Sequence, residues 1–130
     1  MLWWHLRELR STKWESRLKA AQKLGQAGDA RGIEPLIEAL TDPQPQVRYA
    51  ADEALRRIDQ NWMKTNSARN AVPGLIQLLA SPEYEIRKTV MDILGLIRDK
   101  RALEPFIQAL HDSEKEIRKN AADVLGAFRE

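Results

Sequence analysis

DARGIEPLIEALTDPQPQVRYAADEALRRID, residues 29–59, is the stretch on which the fold turns. Ile33, Leu36, Ile37 and Leu40 recur at the i, i+3, i+4, i+7 spacing of an amphipathic helix, and Asp42-Pro43 breaks that run. Val47, Ala51, Ala54, Leu55 and Ile58 form a second stripe of the same period. Two helices joined by a tight, proline-marked turn make an antiparallel pair with one shared apolar face, which neither helix can bury alone. The pair requires neighbours.

Those neighbours are further copies of the segment. Arg17 and Arg48 lie 31 residues apart, as do Arg87 and Arg118; the 39-residue step from Arg48 to Arg87 leaves eight extra residues in the third copy. First-helix columns read Leu2, Ile33, Val72, Leu103; then Leu6, Ile37, Ile76, Ile107; then Leu9, Leu40, Leu79, Leu110. Second-helix columns read Ala20, Ala51, Val90, Ala121; then Leu24, Leu55, Leu94, Leu125; then Ala27, Ile58, Ile97, Phe128. Four antiparallel helix pairs thus account for an all-α chain, 1–130, read as one domain. The repeats fall at about 1–28, 29–59, 60–98 and 99–130, with the insertion near 60–67.

Composition excludes several function classes. Forty-three per cent hydrophobic and 31% charged residues are ordinary for a soluble globular domain. Twenty-one basic against 19 acidic residues give a formal charge of only +2, too small a field to imply nucleic acid. Absence of cysteine removes disulfides, thiol catalysis and Cys-ligated metal, and fits a reducing compartment. Neither a signal-peptide run nor an apolar stretch of membrane length is present, so no membrane partner is expected and the chain reads as cytoplasmic.

The turns carry the next signal. Ser11, Asp42, Ser81 and Asp112 share one column, and all four are good N-cap residues for the second helix of their repeat. Pro43 and Pro82 follow where a helix start tolerates proline, and Ser113 with Glu116 has capping-box spacing. Asp29 and Asp99 are candidate caps for the first helices. Repeat one places His5, Ser16 and Lys23 in columns that are apolar elsewhere, as an N-terminal capping repeat would. Repeat four keeps those columns apolar, so its outer flank is expected to meet either further chain or a partner. In the insertion, the second helix of repeat two is expected to overrun by a turn before a fresh helix starts near Asn66 or Ser67.

Asp at the turn, Val/Ile-Arg five and six residues on, then Ala-Ala-x-x-Leu-Gly closely resembles the short HEAT repeats of the phycobilisome-lyase-like class. The matching strings are Thr41-Asp42-Pro43 with Val47-Arg48 and Ala50-Ala51; Glu85-Ile86-Arg87 with Leu94-Gly95; and Asp112 with Ile117-Arg118, Ala121-Ala122 and Leu125-Gly126. The resemblance implies a right-handed α-solenoid of four HEAT-like pairs, first helices outside and second helices lining a concave face. It also implies that Arg17, Arg48, Arg87 and Arg118 are structural, forming a ladder with turn carboxylates Asp42 and Asp112 that weakens at Ser81.

Exposed concave positions in this class fall one, two, five and nine residues after each arginine. They include Leu18, Gln22, Tyr49, Glu53, Arg57, Lys88, Asp92, Leu96, Lys119 and Asp123. Lys88 with Asp92, and Lys119 with Asp123, stand at i, i+4 and can pair. Such a mixed, partly self-neutralised face disfavours a phosphate backbone and suits a protein segment, with Leu18, Tyr49 and Leu96 as apolar contacts. The expected function is a non-enzymatic protein-interaction scaffold whose partner the sequence does not name. The resemblance supplies the alternative, a bilin lyase or bilin chaperone acting on phycobiliproteins; a HEAT-like DNA-binding protein or glycosylase ranks third.

No catalytic residue, metal site or cofactor is expected. His5 and His111 lack a ligand cluster at metal spacing, and no phosphate loop or nucleophile elbow occurs. Trp3 and Trp4 are adjacent, so one is expected to be exposed, as a lid over the open end or as an edge for end-to-end self-association. The uncapped C-terminal repeat is the other candidate edge. Trp62 is expected to anchor the insertion.

Overall fold

The computed structural model describes residues 1–128. Eight helices run α1 (Leu2–Glu8), α2 (Trp14–Ala27), α3 (Ile33–Ala39), α4 (Pro45–Ile58), α5 (Asn66–Leu78), α6 (Tyr84–Ile97), α7 (Leu103–Ala109) and α8 (Lys115–Ala127). Single 3-10 turns at Ala30–Gly32, Trp62–Lys64 and Lys100–Ala102 join them, and no strand occurs among the described residues. The fold is all-α, a succession of helix pairs of the α-solenoid class. Its chain divides into an N-terminal unit, Met1–Ala71, and a C-terminal unit, Val72–Glu130, the division falling inside α5.

Each unit has its own core, drawn from the repeat columns. In the N-terminal unit α2 packs along α4, with α1 against α2 and α3 against α4. Leu24, Ile33, Leu36, Ile37, Val47 and Leu55 are fully buried there. In the C-terminal unit α8 packs on α6 and α7, burying Val90, Met91, Leu94, Phe106 and Ile117. Phe106 also meets Phe128 edge-on at 6.1 Å between ring centroids. A buried Leu, Ile or Phe contributes roughly 1.5–3 kcal/mol before chain entropy is subtracted, so these columns outweigh any surface pair.

The turn residues correct one expectation. Ser11, Asp42, Ser81 and Asp112 do not cap the second helices; Lys13, Gln44, Glu83 and Glu114 do, two residues later and without a side-chain bond. Each turn residue instead accepts from the N–H of that later residue. Ser11 Oγ meets Lys13 N at 3.1 Å, Asp42 Oδ1 meets Gln44 N at 2.9 Å, Ser81 Oγ meets Glu83 N at 3.1 Å and Asp112 Oδ1 meets Glu114 N at 2.9 Å. A short oxygen-bearing side chain closes such a turn two residues on, and the helix starts only after it. Pro45, not Pro43, therefore holds the first helical position of α4, and the Ser113–Glu116 capping box does not form because α8 is capped at Glu114.

The insertion corrects a second. Helix α4 does not overrun: it stops at Ile58, and Asp59 turns extended at φ −160°, ψ 116°. In the same column Gly28 and Arg98 end α2 and α6 in the left-handed region, at φ 67° and 59°. Asp59 Oδ1 accepts from Asn61 N at 2.8 Å, starting a new turn, and Trp62, 3% exposed, is buried in the N-terminal unit. Thr65 Oγ1 then accepts from Ala68 N at 3.1 Å, so Thr65 caps α5. Repeats two and four enter their first helices through 3-10 turns capped by Asp29 and Asp99. Repeat three has instead one continuous helix with Pro73 inside it.

Candidate functional site

The repeated arginines come first, because they fix how the second helices sit. Each donates through NH1 to a carbonyl of its own turn: Arg17 to Ser11 at 2.9 Å, Arg48 to Asp42 at 2.7 Å, Arg87 to Ser81 at 2.9 Å and Arg118 to Asp112 at 2.7 Å. Two of them also grip the carboxylate of the following turn with a two-pronged bond. Arg17 reaches Asp42 at 2.7 and 3.1 Å, within the N-terminal unit. Arg87 reaches Asp112 at 3.0 and 3.2 Å, within the C-terminal unit. Both rungs are mostly covered, with side chains 16% and 8% exposed in the first and 13% and 14% in the second. Arg48 and Arg118 bond only turn carbonyls among the described residues, Arg48 adding Pro43 at 3.2 Å.

At Asp112 the local field can be resolved into opposing causes. Burial pushes its carboxyl up, but the Glu114 N–H, the Arg87 bond and the charges of Arg87 and Arg118 together hold it below the ordinary carboxylate range.

Five of the expected contact residues come together in the N-terminal unit. Leu18 and Gln22 on α2 and Tyr49, Glu53 and Arg57 on α4 line one open groove of about 840 Å³, with Gln26 and Gln46 beside them. Small residues make its floor: Gly25, Ala50 and Ala54. Gly25 lies so close to α4 that a Cβ there would stand 2.8 Å from Ala54 Cα. Tyr49 is 68% exposed, while Leu18 is half-buried. Ala50 belongs to the floor rather than to the exposed rim, because the close approach of α2 covers it.

The C-terminal unit arranges its five differently. Asp92, Leu96, Lys119 and Asp123 are exposed and Lys88 is half-buried. The cavity described in that unit, about 250 Å³, lies instead against the Arg87–Asp112 rung beside Ile76, Met91 and Ile117. Neither Lys88–Asp92 nor Lys119–Asp123 closes to an ion pair; among the described residues Asp52–Arg56 does at i, i+4, at 3.1 Å. Partial loss of hydration raises the Asp92 carboxyl above its ordinary range, and the Lys88 charge works against that rise.

At the N-terminal edge Trp3 and Trp4 are both exposed, at 69% and 46%, where one was expected. No residue of α1 is buried, and the Arg7 guanidinium lies 5.6 Å from the Trp3 ring centroid. In repeat four Ile107 and Leu110 are 46% and 36% exposed. Among the described residues no three His, Asp or Glu side chains gather as a metal site, and no helix is long and apolar enough to cross a membrane.

With this geometry established, comparison with known proteins places the chain. The family model described as HEAT repeats matches residues 5–69 and 72–130. Two solved structures share the fold over 98% of this chain at 24% identity. One, an engineered protein, has a TM-score of 0.60, with 62% of its length covered. The other, a chain of the CpcE–CpcF complex of phycocyanin lyase from Nostoc sp. PCC7120, has a TM-score of 0.58, with 54% covered. The chain therefore spans less than two thirds of either. No curated protein sequence matches it. With most of its residues matched in two consecutive blocks, the chain belongs to the HEAT-repeat family.

Proposed function

We propose that the protein is a non-enzymatic scaffold that binds a protein segment along its second helices, chiefly in the α2–α4 groove. One observation carries the reading: the groove gathers Leu18, Gln22, Tyr49, Glu53 and Arg57 around a floor of small side chains, and leaves Tyr49 68% exposed at its rim. An aromatic ring held on a rigid helix beside polar groups is the usual anchor of a protein interface. HEAT repeats suit such a role, since stacked pairs give a stiff surface that needs no ordering on binding.

Affinity capture from lysate with the wild type and Tyr49→Ala in parallel tests this. A protein recovered by the wild type and lost with Tyr49→Ala is the expected result; equal recovery by both overturns the groove assignment. Recovery of a bilin-carrying protein would bring forward the lyase or chaperone alternative, which rests on fold likeness to a phycocyanin lyase chain.

A further inference from the structure

In the C-terminal unit the contact between repeats three and four is a template for a surface that repeat four leaves open. Repeat three gives Ile76, Leu79, Arg87 and Met91 to that contact, and repeat four answers with Asp112 and Ile117. Ile107, Leu110, Arg118 and Ala122 stand in the columns of the first four, one repeat on, and all are exposed. Gly126 shares its column with Gly25 and Gly95. A Cβ on Gly25 would lie 2.8 Å from Ala54 Cα and one on Gly95 3.2 Å from Val124 Cγ2, whereas one on Gly126 meets nothing within 4 Å. In each unit this column receives the second helix of the following repeat, and at Gly126 the place is open.

Arg118 specifies what would fill it. Arg17 and Arg87 each hold the carboxylate of the following turn through Nε and NH2. Arg118 is anchored as they are, NH1 donating to its own turn carbonyl at 2.7 Å, but among the described residues no carboxylate meets its other two nitrogens. It is exposed where the three other repeated arginines are half-buried. A planar fork fixed at one nitrogen and open at two is matched by a carboxylate.

The two formed contacts also give the spacing of the answering face. Asp42, Val47 and Ala54 make one, and Asp112, Ile117 and Val124 the other: an aspartate, a branched residue five positions on and Ala or Val twelve on. A second copy of this chain has no such set free. Asp42 and Asp112 are already held by Arg17 and Arg87, repeat three carries Ser81 at the turn, and repeat one offers Ser11, Ser16 and Lys23. Independently of the α2–α4 groove, we infer that this flank of repeat four docks a helix pair from a different protein. The partner's turn aspartate enters the Arg118 fork, its Ala or Val sits on Gly126, and Ile107, Leu110 and Ala122 form the apolar bed.

A probe for the flank is built from the full chain itself. In a donor variant, Ser11→Asp, Ser16→Val and Lys23→Ala create the answering face on repeat one, and Arg118→Glu blocks the donor's own flank. Circular dichroism verifies its fold; a donor that keeps Ser16 replaces it if it unfolds, since aspartate already makes the same turn bond at 42 and 112 and Lys23 is exposed. Analytical ultracentrifugation of donor with wild type should show a heterodimer, and an Arg118→Gln acceptor should bind roughly tenfold more weakly. Gly126→Leu on the acceptor, where the free protein has open space, should abolish binding. No complex with a folded donor, or binding unmoved by either acceptor change, overturns the proposal. Self-association of the wild type that Gly126→Leu removes overturns the choice of a different protein as occupant.

Discussion

Asp112 ties the stability of its unit to pH through one turn. Its folded carboxyl lies below the ordinary range because, against the upward push of burial, the Glu114 N–H and the Arg87 guanidinium favour the charged form. A carboxyl depressed in the folded state stabilises above its unfolded value of about 3.9, and that contribution is lost as pH falls through the folded value. Arg87→Gln leaves burial with less opposition, so the Asp112 value should rise and acid unfolding should begin at higher pH. Carboxyl titration by NMR reads the first effect, and a pH series of urea melts reads the second. An Asp112 value unmoved by Arg87→Gln would show that the rung does not set it. Asp92, raised by partial dehydration, has the opposite sign: it favours the folded state at low pH and loses that contribution as pH rises. The recurrence of arginine every 31 residues was legible in sequence because spacing is conserved by the repeat. That Ser11 and Asp42 close a turn on the second residue, instead of capping a helix, was not. One oxygen-bearing side chain suits either bond, and only the extended backbone of Lys13 and Gln44 decides between them.

At the scale of helices, the second-helix glycines share a column and differ in consequence. Gly25 on α2 would set a Cβ 2.8 Å from Ala54 Cα and 2.9 Å from Ala54 Cβ, a clash with backbone that cannot swing aside. Gly25→Ala should therefore destabilise by about 1–3 kcal/mol, despite alanine's better helix propensity, because α2 and α4 must part and the groove floor must open. A Cβ at Gly126 on α8 meets nothing within 4 Å. There Gly126→Ala should stabilise by up to about 1 kcal/mol through helix propensity alone. Urea melts of the two variants decide it, and equal signs would overturn the close α2–α4 approach as the cause. Helix stripes and buried columns could be read from periodicity, which is local. The approach of α2 to α4, and with it the groove, could not, because a glycine in sequence says nothing about what stands opposite. The insertion is illegible in sequence for a related reason: where α4 stops depends on Asp59 turning extended and Trp62 finding a buried place.

Across the whole molecule the two units present unlike surfaces on equivalent positions, and this predicts an uneven division of binding energy. The N-terminal unit offers a groove with an exposed aromatic anchor, whereas Asp92 and Leu96 in the C-terminal unit stand exposed outside its described cavity. Interface energy concentrates where a large ring enters a preformed recess, and isolated exposed charges contribute little. Tyr49→Ala should therefore weaken binding of the protein partner recovered by affinity capture at least tenfold, and Asp92→Lys should change that affinity less than about threefold. Tyr49→Ala should not move the urea midpoint appreciably, since the ring is 68% exposed. Calorimetric titration of both, with circular dichroism to verify folding, gives the comparison. An Asp92→Lys loss as large as that of Tyr49→Ala would mean that α6 contributes as much to binding as the α2–α4 groove, and would overturn the groove as the main site.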